Sequence, residues 1–217
     1  MDFIEVRDVT SSDVATTKIG MCKQGDNEFK CVEKVYDENY FDDVVAIVER
    51  FSDKISELGP EIFAVDKVKR AVYMEYIDCP TLEEYLSKLS VSKSEDRAKL
   101  SSVFCAINTF MDRMRRFGLC HGDLHTENLM VCMNGIRMID IDNLTLTEEQ
   151  GWCSDDNLLG ETMIMALVKD LKEEMQKAKE DAYRTFKTKV ESTLRIIEDI
   201  GFNQQIEDSM RKRTARF

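Results

Sequence analysis

Residues 121–130 read HGDLHTENLM and hold both histidines of the chain, His121 and His125, together with Asp123 and Asn128. Asp123 and Asn128 are oxygen-bearing groups five residues apart, and a further carboxylate, Asp140, follows twelve residues after Asn128. The intervening run LMVCMNGIRMID reads as a hairpin, in which Asn134-Gly135 supply the positive φ that a type I′ turn demands. A hairpin returns its end to its start, so Asp140 is expected back beside Asn128. Two hard oxygen ligands placed in that way suit Mg²⁺ (or Mn²⁺), which takes one or two carboxylates and completes its shell with phosphate oxygens and water. Asp123 is then left to accept a proton from an attacking hydroxyl. Such a set describes phosphoryl transfer, in which the protein positions reactants and neutralises charge. The plainer alternative is a polar loop whose Asp and Asn only cap turns. The agreement of loop, hairpin and second aspartate favours chemistry.

These groups need a scaffold, and the hydrophobic pattern supplies one. FIEVRDV (3–9), VATTKIGM (14–21) and FKCVEKVY (29–36) alternate or are β-prone, and read as a three-strand antiparallel meander. Phe29, Cys31 and Val35 are its candidates for the buried side. Residues 40–58 place Phe41, Val44, Val45, Val48, Phe51, Ile55 and Leu58 at helical spacing, and Gly59-Pro60 end that helix. Two more strand-like runs follow, EIFAV (61–65) and RAVYMEYI (70–77). After Pro80 the pattern turns helical. Thr81 and Glu84 have capping-box spacing, and Leu100, Val103, Phe104, Ile107, Phe110, Met111, Met114 and Phe117 form an apolar stripe on a helix over 96–117. Residues 157–171 are apolar nearly all round, as a buried helix would be, and 178–217 read as amphipathic helix with a break near Gly201. A small sheet-rich part, 1–78, is thus followed by a helical part, 79–217.

Composition narrows the field further. A chain of 217 residues with 43% hydrophobic and 33% charged residues can bury a core of ordinary size. A formal charge of −12 argues against a nucleic-acid surface, which needs clustered Lys and Arg. No apolar run approaches eighteen residues, and MDFIEVRD lacks the features of a secretory signal, so neither a membrane span nor a leader is expected. The seven cysteines are scattered, with no C-x-x-C pair. That spacing suits neither zinc nor a disulfide framework, so reduced thiols in a cytoplasmic protein are expected.

HGDLHTEN resembles the catalytic loop of the protein-kinase-like superfamily, whose shared skeleton is H-x-D-x-x-x-x-N. Its HGDLH form is similar to atypical and small-molecule kinases: the aminoglycoside and choline type, the Rio type, and the small kinase of the tRNA-modifying complex. MIDID (138–142) resembles the metal-binding D-F-G, with Asp140 matching its Asp and Asp142 standing where Gly is usual. CVEK resembles V-A-I-K and gives Lys34 as the phosphate-binding lysine. The resemblance further implies Glu49 as that lysine's helix partner, with Glu57 as the fallback. YMEYIDCPTLEEYL would be the hinge, with Met74 as gatekeeper and the backbone of Glu75, Tyr76 and Ile77 holding adenine. DDNLLG (155–160) resembles the D-V-W-x-x-G opening of the buried helix. His121 is expected to pack behind the loop. There are two departures. No G-x-G-x-x-G is present, so Ser11 and Ser12 in TSSD (10–13) are left as phosphate donors, and the segment after Asp140 is short and lacks A-P-E.

The resemblance implies a minimal bilobal α+β fold, with an antiparallel-sheet N-lobe carrying one helix (1–78) and a reduced helical C-lobe (79–217). The activity it implies is an atypical Ser/Thr protein kinase using ATP and Mg²⁺ on an unidentified protein substrate. The alternatives are a small-molecule kinase, suggested by HGDLH and the missing peptide platform, and a pseudokinase binding module, suggested by the missing glycines. No nucleic acid or membrane is expected as a partner, while the basic tail RKRTAR (211–216) is a candidate docking patch for an acidic one. The expected compartment is the cytoplasm, or a host's cytoplasm were so pared-down an enzyme viral or delivered by a pathogen.

Overall fold

The computed structural model describes residues 2–90, 93–150, 155, 157, 159–160, 163–164 and 182–199. The fold is α+β. Five strands, β1 (Asp2–Ser11), β2 (Ala15–Gln24), β3 (Asn27–Tyr36), β4 (Ile62–Asp66) and β5 (Ala71–Glu75), form an antiparallel sheet in the order β1-β2-β3-β5-β4. β5 lies between β3 and β4 in register, so that Lys34 faces Val72 and Val32 faces Met74. Side chains alternate across a strand, which divides β3 into two sets. Cys31 and Glu33 are buried on one face, where Cys22, Cys31, Ala71 and Tyr73 form a core closed over by Phe3, Phe29, Val35 and Phe63. Lys34 and Tyr36 belong to the other.

Helix α1 (Glu38–Leu58) starts where the Asp37 carboxylate accepts from the Asn39 N–H, and it buries Phe41, Val44, Val45, Val48, Phe51, Ile55 and Leu58. Gly59 ends it at a close approach, since a Cβ there would meet the Met138 carbonyl oxygen at 2.8 Å. The next helices are α2 (Leu82–Leu86) and α3 (Ser94–Phe117), the first opening with both hydrogen bonds of the Thr81–Glu84 capping box. Strands β6 (Leu119–Cys120), β7 (Leu129–Cys132), β8 (Gly135–Met138) and β9 (Thr145–Leu146) make two small two-stranded sheets, β6 with β9 and β7 with β8. Helices α4 (Thr147–Gln150) and α5 (Ala182–Asp199) complete the described elements, and residues at 155–164 that are described are helical. The remainder of the expected buried helix, the break near Gly201 and the basic tail fall outside the described residues. Among the described residues no helix is long and apolar enough to cross a membrane.

Two expectations are corrected. The hairpin turn is not type I′ with Asn134-Gly135 at its centre: Met133 and Asn134 form the turn, and Gly135, at φ 120°, opens β8. Only Gly135 takes a positive φ there, a conformation glycine adopts without steric cost. The cysteines are not all reduced. Cys22 bonds to Cys31 and Cys79 to Cys132, Cys120 is also disulfide-bonded, and Cys105 is an exposed free thiol. The first pair joins diagonal neighbours on β2 and β3, a relation fixed by register and invisible in a spacing of nine.

The chain divides into two compact units. One comprises residues up to Asp78 with Arg137–Leu144, the other Cys79–Ile136 with the residues from Thr145 onward. Sequence order puts Arg137–Leu144 after the expected 78/79 boundary, yet by its contacts it packs with the first unit. An ion pair shows how. Arg137 donates to both carboxylate oxygens of Glu75, at 2.7 and 2.5 Å, and to the Gly59 carbonyl at 2.5 Å. The Arg137 hydrogen bonds hold the Glu75 carboxyl below its ordinary value of 4.5, against the opposing effect of partial burial. A carboxylate whose pKa falls on folding stabilises the protein above its ordinary pKa, and that stability is lost as pH falls through the lowered value. Replacing Arg137 by Gln should therefore cost on the order of 1 kcal/mol at pH 7 after solvent screening. The difference from wild type should be full above about pH 5 and shrink as pH falls from 4.5 through that lowered value, read by urea unfolding at each pH. A difference that does not shrink on acidification would locate the contribution elsewhere.

Candidate functional site

In the first unit, β3 presents Lys34 and the segment after β8 presents two carboxylates to it. The Lys34 ammonium donates to Asp140 Oδ1 and, at 2.5 Å, to Asp142 Oδ2. Tyr36, two residues along the same face of β3, donates its hydroxyl to Asp142 Oδ1 at 2.7 Å. Lys34 and Asp142 are largely buried, each side chain 14% exposed, whereas Asp140 is 37% exposed. Burial opposes the Lys34 charge, but Asp142 and Asp140 more than offset it and hold its pKa above the ordinary lysine value. Two carboxylates facing one ammonium leave a surplus negative charge. Burial pushes the Asp142 carboxyl up, Lys34 pulls it down and the Asp140 charge adds to the rise. Burial likewise keeps the Tyr36 phenol protonated, so it remains a donor. Asp140 itself sits at φ 59°, ψ 65°, a left-handed backbone that non-glycine residues rarely adopt and that clusters at functional sites.

In the second unit, the loop 121–128 is held from behind. Asp155, buried to 2% exposure, accepts the backbone N–H of His121 at 2.6 Å and of Gly122 at 3.0 Å. His121 is fully buried. Asn128 is buried and donates its side-chain amide to the Asp123 carbonyl at 3.0 Å, which fixes the backbone that carries the Asp123 carboxylate. That carboxylate is half-exposed, with His125 Nε2 3.9 Å from its Oδ2. The other ring nitrogen, Nδ1, accepts the Glu127 N–H at 3.3 Å and caps the single 3₁₀ turn Thr126–Asn128. Replacing Asp155 by Ala should cost about 1–3 kcal/mol, because two loop amides lose their acceptor. Hydrogen exchange should show faster exchange at His121 and Gly122, and unchanged protection there would remove Asp155 from this role.

Other expected site residues take different places. Glu49 does not pair with Lys34. It lies on the exposed face of α1, with Lys67 Nζ 3.9 Å away, and Glu57 is exposed as well. The helix buries its apolar stripe, and Glu49 is off that stripe, so Asp140 and Asp142 supply Lys34's carboxylate partners instead. Ser12 is engaged within its own turn: its N–H donates to the Ala15 carbonyl, and its hydroxyl accepts from Val14 and Ala15. Ser11 Oγ lies 3.2 Å from Thr16 Oγ1. The phosphate donors expected at these serines are thus satisfied by the β1–β2 turn. Met74 is buried at the end of β5 and Ile77 is buried beyond it, while the Lys30 ammonium stacks 3.6 Å over the Tyr76 ring. The Glu75 side chain is held by Arg137, and its backbone N–H donates to the Glu61 carbonyl.

Three residues escaped the sequence reading. Asp142 was legible only as a departure from glycine, although Asp140-x-Asp142 puts carboxylates two apart. Tyr36 stands two residues after Lys34, hence on the same face of a strand. Asp155 was marked by DDNLLG but not by its role.

No family model matches this chain. An EKC/KEOPS complex subunit of Schizosaccharomyces pombe is 29% identical over 72 residues, a stretch that makes up 33% of this chain and 29% of that protein. The chain is similar, over that third, to a subunit of a protein complex.

Proposed function

We propose that this chain is a phosphotransferase of protein-kinase-like, bilobal fold that moves the γ-phosphoryl group of ATP to a protein Ser or Thr hydroxyl with Mg²⁺. The observation that carries the reading is the ion pair of Lys34 with Asp140, residues the loop-and-strand resemblance marks as phosphate-binding and metal-binding and that sequence separates by 106 positions. The fixed backbone of Asp123 supports it. The donor set fits Mg²⁺: Asp140 is a half-exposed hard carboxylate in a group with surplus negative charge. Among the described residues no three His, Cys, Asp or Glu groups cluster to hold a metal unaided. Such a cation would be held through Asp140, phosphate oxygens and water, as Mg²⁺ favours, with Asn128 the further ligand that the resemblance implies. When bound it would screen phosphate charge.

The roles follow. Lys34 neutralises the phosphates of ATP, and the hinge backbone at Glu75–Ile77, behind Met74, takes the adenine. Asp123 orients the acceptor hydroxyl and takes its proton as the new O–P bond forms and the bond to the ADP oxygen breaks. The similarity to a complex subunit supports protein partners.

The test is incubation with γ-labelled ATP and Mg²⁺, with the protein itself and a mixed cell lysate as acceptors, beside Asp140→Ala. Label on protein that disappears in the variant supports the reading. ATP turnover without labelled protein would replace the acceptor by a small molecule. Absence of both binding and turnover would leave a binding module and end the proposal.

A further inference from the structure

In the first unit Lys34 has lost its expected helix carboxylate, Glu49, and gained two from the segment after β8. The two differ in exposure: Asp140 is 37% exposed and Asp142 is 14% exposed, and Asp142 is also tied by the Tyr36 hydroxyl at 2.7 Å. A carboxylate that turns toward a cation no longer serves a lysine fully. Lys34, itself 14% exposed, would then be a buried ammonium short of a partner, which is costly. We propose that Asp142, braced by Tyr36, is the positioning residue for Lys34, doing from the position after the metal-binding aspartate what a helix glutamate would otherwise do.

The inference rests on the phosphotransfer reading for its purpose, and on geometry alone for the hold itself. Three features of the structure favour it. Tyr36 and Lys34 share one face of β3, so the brace and the ammonium move together. Asp142 lies in the short helical turn Ile141–Asn143, in contact with α1, which fixes its backbone. A fixed carboxylate at 2.5 Å sets the reach of a flexible four-carbon side chain, so that little ordering is left to be done when phosphate arrives.

The experiment has two arms. In the first, wild type, Asp142→Asn, Tyr36→Phe and Glu49→Gln are exposed without nucleotide to a limiting dose of acetic anhydride, and acetylation of Lys34 is read by mass spectrometry. Labelling should rise several-fold in Asp142→Asn, less in Tyr36→Phe, and not in Glu49→Gln. In the second, KM for ATP and kcat are measured for the same proteins. Asp142→Asn should raise KM about tenfold, the scale of one lost charge-assisted hydrogen bond. It should add nothing further in a Lys34→Met background, since the pair acts as a unit. Tyr36→Phe guards against misfolding of the Asn variant, because it removes one oxygen and leaves the ring in place, and melting curves accompany both. Unchanged labelling and unchanged KM in both variants overturn the proposal, as does a loss of activity in Glu49→Gln equal to that in Asp142→Asn. A wild type that binds no ATP, with the labelling pattern intact, would show that Asp142 holds Lys34 for some other purpose. The phosphotransfer reading would then fail while the hold of Asp142 on Lys34 stood.

Discussion

Asp123→Ala should lower phosphoryl transfer about 10²–10⁴-fold, the usual contribution of a positioned general base. Stability should hardly change. The side chain is half-exposed, with His125 Nε2 3.9 Å from its Oδ2, so truncation breaks little that folding needs. The hydrogen bond from Asn128 goes to the Asp123 carbonyl rather than to its carboxylate, so the loop keeps its shape when the side chain is removed. This separates the residue from its supports. Asn128→Ala should lower both activity and melting temperature, because a buried amide loses a bond that fixes the loop. Single-turnover kinetics beside a thermal melt reads the two effects apart. Full activity in Asp123→Ala would remove it as the proton acceptor.

The second large effect concerns the Cys79–Cys132 disulfide, which closes a loop of 53 residues. The segment it anchors is also tied by backbone pairing, through the Val131 N–H to the Pro80 carbonyl and a bridge between Thr81 and Met130. In the chain-entropy account, opening so long a loop releases about 4 kcal/mol, against about 2.6 kcal/mol for the nine-residue separation of Cys22 and Cys31. A Cys79→Ser, Cys132→Ser protein should therefore unfold at markedly lower denaturant than wild type under non-reducing conditions. Excess reductant should close much of that gap. Both residues are half-buried, whereas Cys22 and Cys31 are fully buried. Reduction of the native protein followed by alkylation should consequently modify Cys79 and Cys132 first. Alkylation of that pair in protein never reduced would show them to be thiols.

Local pattern carried the element types: alternation gave the strands of the sheet, and the apolar stripe gave α1 and α3. The spacing H-x-D-x-x-x-x-N singled out Asp123 and Asn128, and the strand after the hairpin singled out Asp140. What the pattern could not give is register and phase across long separations. Lys34 meets Asp142 over 108 positions because the end of β8 packs with the first unit, and no local rule contains that fact. Cys22 and Cys31 are joined by strand register in the same way. Glu49 was legible after all, since it stands about a third of a turn from the centre of the Phe41–Leu58 stripe and so points away from the sheet side.

The assignment of Arg137–Leu144 to the first unit has a consequence for synthesis. A chain emerging from the ribosome exposes its first 78 residues with the Glu75 carboxylate and the Lys34 ammonium lacking their later partners, until residue 144 follows 66 positions on. At about 5–20 residues per second that interval lasts roughly 3–13 s. The nascent sheet must wait through it, with its charged groups turned to water, and a release of the N-terminal portion alone would yield a sheet missing Arg137, Asp140 and Asp142. The first unit is therefore completed only when residues 137–144 have been made, after the opening stretch of the second unit, so the earliest strands of this chain depend on a segment translated well after them.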